Sequence, residues 1–365
     1  MSARSDSGAS LRGVICGLLL CPGFSVTAEP TELKRDEQIV FFPSQGRRVG
    51  GGTAWQLEVR GCVYEPESHR LTLAALREAL ELKHVEMTAA EEANFKERAR
   101  LFLADNERGH RVVVRIGSRE FDLGKTAPNG HFDDTVRLTE TELSFDRSKI
   151  DRDAVTVTAV LAAKDTRSFT GQVLLLDDHG LSVISDIDDT IKITEMRDRH
   201  AMLRNTFLRQ FQPVPGMAEF YQTLARSNRA QFHYVSASPW QLYLPLAEFT
   251  RSNGFPAGTF HLKTFRLKDR TFLGLFSDPG KYKVGVIEPL LKSFPKRRFI
   301  LIGDSGERDP EAYGELARRH PQQIAHVFIR DVTGEPADVQ RYITTFAGLP
   351  RGLWTVFREP PTQSQ

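Results

Sequence analysis

Two acidic clusters in this sequence have the composition and spacing to do chemistry. One is Asp186-Ile187-Asp188-Asp189-Thr190, and the other is Gly303-Asp304-Ser305-Gly306-Glu307-Arg308-Asp309. Carboxylates two residues apart can share a hard cation such as Mg²⁺, which takes oxygen ligands and leaves room for a phosphate oxygen. Asp186 or Asp188 could attack phosphorus and carry the transferred group, while its neighbour protonates the leaving oxygen and then activates water. Adjacent carboxylates repel, so a metal is needed to keep the nucleophile ionised beside phosphate. The blander reading makes Asp186–Asp188 an acidic turn that caps a helix, and makes Asp309-Pro310 a cap followed by a first-turn proline. Ser236-Ala237-Ser238-Pro239 offers a hydroxyl and backbone N–H groups to phosphate oxygens, or is simply a helix cap. Lys283 can neutralise a phosphoryl group and the clustered carboxylates. Lys281 competes for that role, and a lone lysine is ordinarily a solvated surface residue.

These residues need elements to hold them. From Leu181 onward, apolar runs alternate with helical stretches. The runs Leu181–Ser185, Phe232–Val235, Phe299–Ile302 and Ala325–Ile329 read as strands, three of them ending next to Asp186, Ser236 and Gly303-Asp304. Helices are expected at Met217–Ser227, Trp240–Ser252, Lys283–Ser293 and Pro310–Arg319. Continuous apolar strands between helices indicate a parallel sheet covered on both faces, with reactive groups at the strands' carboxyl ends.

The earlier part of the chain has a different grammar. Gln38–Phe42, Trp55–Val59, Arg111–Ile116, Val155–Leu161 and Gln172–Leu176 read as strands, with Gly50-Gly51-Gly52 and Asn129-Gly130 as turns. Leu71–Leu82 and Thr88–Leu103 carry helical patterns, and Thr88 with Glu91 has capping-box spacing. The pattern predicts a β-rich domain over 29–177 with a helical insertion, a boundary at Asp177–Gly180, a second domain over 178–350 and a tail over 351–365. It shows no catalytic constellation before residue 178.

Composition sets outer limits. The 365 residues suffice for two domains, and 40% hydrophobic with 26% charged residues describes a globular chain. A net charge of +2 gives no basic field for nucleic acid. Arg4 and Arg12, the apolar Val14–Leu20 and the small residues of Val26-Thr27-Ala28 have the layout of an export leader over 1–28, which implies a periplasmic or cell-envelope protein; without cleavage the chain is cytoplasmic. Leu20 before Cys21 is bulky where a lipoprotein signal has a small residue. Cleavage leaves Cys62 alone, so no internal disulfide can staple the fold.

Taken in order, Asp-x-Asp-x-Thr, a strand-end serine, a lysine and Gly-Asp-x-x-x-x-Asp are similar to the motifs of haloacid-dehalogenase phosphatases. More narrowly, Ser185–Lys192, Val235–Trp240 and Gly303–Pro310 resemble the actin-patch-associated phosphatidate phosphatase family. The resemblance covers roughly residues 181–332 and implies a Rossmannoid α/β sheet with helices on both faces, preceded here by the smaller β-rich domain. It implies Mg²⁺-dependent hydrolysis of a phosphomonoester, phosphatidate first among them. Asp186 would be nucleophile and metal ligand, and Asp188 the general acid/base and a ligand through its main-chain carbonyl. Asp304 completes the metal site with Asp309 assisting. Thr190, Ser236, Ala237 and Lys283 would hold phosphate, with Ser236 and Lys283 also catalytic.

About 40 residues separate Thr190 from the strand before Ser236, too few for an ordinary cap domain. An uncovered Asp186 suits a bulky or lipid phosphate. Met202–Phe211 places apolar residues on one face beside Arg204 and Arg209, so it can lie on a membrane surface or pack on the core. Soluble or protein-borne phosphomonoesters are the alternative substrates. A non-catalytic binding protein on the same fold is the alternative class.

Overall fold

The protein is described from a computed structural model covering residues 29–66, 72–144, 154–264 and 279–361. The expected leader at 1–28 lies outside these residues.

Nine strands build the first sheet: β1 (Gln38–Phe42), β2 (Ser44–Val49), β3 (Ala54–Glu65), β4 (Asp105–Asn106), β5 (Arg111–Ile116), β6 (Arg119–Lys125), β7 (His131–Thr139), β8 (Ala154–Ala159) and β9 (Thr170–Leu176). The strand order is β1-β3-β2-β9-β8-β5-β6, with β4 and β7 also paired to β3. Only β2 and β9 run parallel; every other pair is antiparallel. Helices α1 (Leu73–Ala79) and α2 (Ala89–Leu103) lie between β3 and β4, and α3 (Glu140–Ser144) follows β7. The expected capping box forms: Thr88 Oγ1 accepts from the Glu91 N–H at 3.2 Å, and Glu91 Oε2 accepts from the Thr88 N–H at 3.0 Å.

The second sheet has six parallel strands: β10 (Leu181–Ser185), β11 (Gln231–Pro239), β12 (Gly258–Lys263), β13 (Arg298–Asp304), β14 (Ile324–Arg330) and β15 (Trp354–Phe357). Its order, β12-β11-β10-β13-β14-β15, grows one way from β10 and then the other. The switch point therefore falls between β10 and β13, the position where such sheets bind ligands. Helices α4 (Arg199–Phe207) and α5 (Met217–Asn228) link β10 to β11. Then come α6 (Tyr243–Ser252), α7 (Pro279–Ser293), α8 (Asp309–Arg319) and α9 (Gln340–Thr345).

Several expectations need correction. β11 runs on through Ser236 to Pro239, with a register shift against β12 between Ser236 and Pro239. The sheet also passes the expected boundary at 350, because Trp354–Phe357 pairs with β14. The membrane-facing reading of Met202–Phe211 fails: Leu203, Phe207, Leu208 and Phe211 are all buried. Helix α2 covers them. Arg98 lies 3.9 Å from the Phe211 ring centroid and donates to the Thr206 carbonyl at 2.8 Å, and Asn94 donates to that of Leu208 at 2.7 Å. These donors satisfy carbonyls that the end of α4 leaves open. Trp240 and Tyr243 are core residues. No helix among the described residues is long and apolar enough to cross a membrane.

The two sheets do not stand apart. One hydrophobic cluster joins Val40, Tyr64, Phe95 and Phe102 of the first part to Val183, Phe207 and Trp240 of the second. At the expected boundary, Arg297 donates to the carbonyls of Asp177, His179 and Leu181, each at 2.7 Å, fixing the connection that feeds β10.

Candidate active site

β10 ends beside β13, so the residue after it is held against the neighbouring strand. The Asp186 N–H donates to the Ile302 carbonyl at 2.8 Å, placing Asp186 next to Gly303-Asp304. Gly303 must be glycine here: a Cβ would lie 2.1 Å from Asp309 Oδ2. That close approach lets Asp309 Oδ2 accept from the Asp304 N–H at 3.2 Å. Helix α8 begins at Asp309 with Arg308 in the cap position, so Asp309 sits in the first turn and not at the cap.

Lys283, from the first turns of α7, points into this loop cluster and is fully buried. Its Nζ lies 3.0 Å from Asp186 Oδ1 and 3.1 Å from Glu307 Oε2, and it also pairs with Asp309. Lys281 is exposed, which separates the two candidate lysines. Three carboxylates thus crowd one ammonium. Burial works against the Lys283 charge, but Asp186, Asp309 and Glu307 outweigh it and raise its pKa well above the ordinary value. Burial pushes the Asp186 carboxyl well up, with Asp309, Glu307 and Asp304 adding to the effect and Lys283 opposing it. Asp304 is raised in the same way, by burial and then by Asp309.

That frustration has the form of a cation site. Asp186, Asp304 and Glu307 each present one oxygen, all within 4.8 Å of one another. Asp304 Oδ1 accepts from the Gly306 and Glu307 N–H groups at 2.6 and 3.2 Å, but the buried Oδ2 has no hydrogen-bond partner among the described residues. Asp186 Oδ1 is likewise without a hydrogen bond despite its ion pair with Lys283, while Oδ2 accepts from Thr190 at 3.1 Å. Three hard oxygens, two of them lacking hydrogen bonds in the interior, suit a divalent cation.

Asp188 has the opposite environment. Its Oδ1 accepts from Thr194 at 2.8 Å and pairs with Lys192 at 2.9 Å; its Oδ2 accepts from Ser236 at 3.0 Å and Ser238 at 2.8 Å. Burial alone would raise its pKa, but Lys192 and the hydroxyl donors bring it down to about 2. The third aspartate of the loop is structural. Asp189 adopts a positive φ of 53° and accepts from the N–H groups of Thr194, Glu195 and Met196.

The structure therefore gathers Asp186, Thr190, Lys283, Asp304 and Asp309 in one group and Asp188, Ser236 and Ala237 in an adjoining one. The Asp188 and Asp309 side chains lie outside the three-oxygen cluster, and Glu307 lies in it. Lys192, Ser238 and Glu307 were not singled out in the sequence, although all three fall inside the quoted motifs. The uncovered Asp186 expected from the short connections is also corrected. The side chain is 1% exposed, closed in by Lys283, Thr190 and the Asp304–Asp309 loop. A cleft of about 370 Å³ opens between Asp189, Ile193, Arg197, Arg330 and Val332.

A doubly wound α/β sheet with an acidic, lysine-centred cluster at its switch point defines the class: an α/β protein whose switch-point carboxylates could hold a cation. Residues 181–331 match the family described as phosphatidate phosphatase APP1, catalytic domain. The chain is 34% identical over 272 residues to phosphatidate phosphatase APP1 of Saccharomyces cerevisiae, covering 73% of this chain and 45% of the relative. It is 28% identical over 252 residues to an uncharacterized protein of Schizosaccharomyces pombe, covering 67% and 39% respectively. The chain thus spans less than half the length of these curated relatives. Among solved structures, a chain of the Pnkp1/Rnl/Hen1 complex aligns at a TM-score of 0.30 and 14% identity over 49% of this chain and 54% of that one, too distant to carry an argument.

Proposed function

We propose that the chain is a Mg²⁺-dependent phosphatase of the haloacid-dehalogenase type that hydrolyses a phosphomonoester through an aspartyl-phosphate on Asp186, with phosphatidate as substrate and diacylglycerol as product. The observation that carries the reading is the pair of buried oxygens without hydrogen bonds, on Asp186 and Asp304, beside Lys283 at the switch point. The match to the APP1 catalytic domain, and the 34% identity to a phosphatidate phosphatase, support the substrate class.

Asp186, Asp304 and Glu307 would hold the metal, with Asp309 positioning Lys283 and the Asp304 backbone. When bound, Mg²⁺ neutralises the carboxylates and draws electron density from the phosphoryl oxygens. Lys283 supplies a second positive charge to the transferring group. An Asp186 carboxylate oxygen forms the bond to phosphorus as the bond to the leaving oxygen breaks. Asp188 delivers the proton to that oxygen. In the arrangement seen here Asp188 is held ionised, but an arriving phosphoryl group competes for the Ser236 hydroxyl and adds negative charge nearby. Both changes raise the proton affinity of Asp188. Having given up its proton, Asp188 accepts one from the water that attacks the aspartyl-phosphate, releasing inorganic phosphate and freeing Asp186. Thr190 keeps the Asp186 oxygens oriented, and the Ser236–Ser238 backbone, including the Ala237 N–H, faces the phosphoryl oxygens. We further propose that residues 1–28 act as an export leader and that the activity lies in the periplasm or cell envelope, in peripheral contact with the lipid that carries the substrate.

The test is phosphate release from phosphatidate in mixed micelles and from para-nitrophenyl phosphate, each with Mg²⁺ or with chelator. Release from both, abolished by chelation, is expected. Release from neither overturns the enzyme reading, and release from the soluble ester alone overturns the lipid reading.

A further inference from the structure

A second cavity, of about 490 Å³, lies between the two sheets and away from the acidic cluster. Its walls come from both: β3, β6 and β7 on one side, and Trp240, β12 and α7 on the other. The volume is that of a small-molecule site.

The lining is short of acceptors. Arg60 Nε and Nη2, His131 Nε2 and Trp240 Nε1 are buried atoms without hydrogen-bond partners among the described residues. Trp240 is 2% exposed, so its indole N–H has no access to bulk solvent. A buried unpaired donor is costly, and Arg60 cannot escape by losing its proton. Asp133 is the cross-strand partner of Arg60, yet it makes no hydrogen bond to either of those guanidinium nitrogens.

The unpaired donors select the ligand's head. Arg60 lies near two carboxylates, Asp133 and Glu58, with Lys125 exposed at the cavity's edge. His131 is held at about 4 by burial, and burial also lowers His261 well below the ordinary value, so both are neutral at pH 7. What the cavity lacks is an acceptor for the unpaired Arg60 and Trp240 donors. A planar guanidinium fork matches a carboxylate. Apolar wall is supplied by Leu123, Phe132, Phe260, Leu262 and Val286, with Asn129, Thr264 and Tyr282 also in the lining.

We propose that this cavity binds an aliphatic monocarboxylate, its head on Arg60 and the Trp240 indole N–H and its chain against Leu123, Phe132, Phe260, Leu262 and Val286. The wall is linked in sequence to the candidate chemistry. Trp240 is two residues beyond Ser238, and Tyr282, also in the wall, precedes Lys283.

The test is calorimetric titration of the full chain with decanoate below its micellar concentration, with decanol and inorganic phosphate as separate arms. One decanoate per chain is expected, with at least tenfold weaker binding of decanol and no competition by phosphate. Arg60→Gln, checked for folding by circular dichroism, weakens decanoate at least tenfold, and Trp240→Phe weakens it less. Asp186→Asn binds decanoate as the unaltered chain does. No decanoate binding, equal affinity for decanol, displacement by phosphate, or loss of binding in Asp186→Asn each overturns the proposal. The wild-type arms decide the question even if Arg60→Gln fails to fold.

Discussion

Asp186 and Asp188 are the same residue type, two positions apart and both buried, yet their surroundings drive them in opposite directions. Asp186 shares one lysine with two other carboxylates, and burial pushes its pKa up. Asp188 has Lys192 to itself with three hydroxyl donors, and stays ionised with a pKa of about 2. The difference teaches that burial does not set the charge of a carboxylate; the count of cations and donors around it does. One site is satisfied as it stands, while the other is short of positive charge.

The sharpest way to break the comparison is Asp186→Asn. It should lower phosphate release about a thousandfold or more, as loss of a nucleophile does, while the metal-free protein keeps or raises its melting temperature because one crowded carboxylate has gone. Retained turnover would move the nucleophile elsewhere. Next in size is Lys283→Met, which leaves three buried carboxylates without a cation and should cost about 3–5 kcal/mol in a denaturant titration. Added Mg²⁺ should recover part of that loss; an unchanged midpoint would contradict the charge shortage. Lys192→Met should cost less, about 1–3 kcal/mol, since Asp188 keeps its hydroxyl donors. Mg²⁺ should not recover it.

Acid should separate the two sites as well. The folded pKa of Asp188 lies below its unfolded value near 3.8, so its contribution of about 2 kcal/mol is present above that pH and lost as pH falls through about 2. Asp186, raised on folding, has the reverse sign in the metal-free protein: its contribution is full at low pH and lost as pH rises through its folded pKa. Metal binding should therefore release protons, measurable by calorimetry in buffers of different ionisation enthalpy. The smallest effect is Ser238→Ala, which removes one of the hydroxyls on Asp188 and should cost about 1 kcal/mol. A larger loss would mean that the hydroxyls, and not Lys192, keep Asp188 charged.

Much of this was legible in the sequence because the residues stand at the ends of long apolar runs. Leu181–Ser185 and Phe299–Ile302 are strands in both readings, and their ends deliver Asp186 and Asp304. What was missed was concealed by polarity. β12 carries Thr259 and His261 in its core face, and these bond each other at 2.9 Å and reach His233 of β11. A satisfied polar chain inside a sheet gives no apolar run to read. Lys192 and Glu307 belong to types that usually face solvent, and only their charge partners, Asp188 and Lys283, draw them inside. The capping box at Thr88 was legible because both partners lie within one turn. The docking of α2 onto α4 was not, because Arg98 and Thr206 are 108 positions apart.

That docking constrains the order of assembly. During synthesis the first sheet and α2 emerge well before β10, so the apolar face of α2 waits for α4, which completes its cover only after another hundred or so residues have been made. The catalytic half in turn begins with a strand whose lead-in carbonyls are held by Arg297, more than a hundred residues later. Neither half can reach its native surface by itself, and a fragment cut at the Asp177–Gly180 turn would expose on each piece the apolar face that the other now covers, making the turn a poor place to divide the protein for expression.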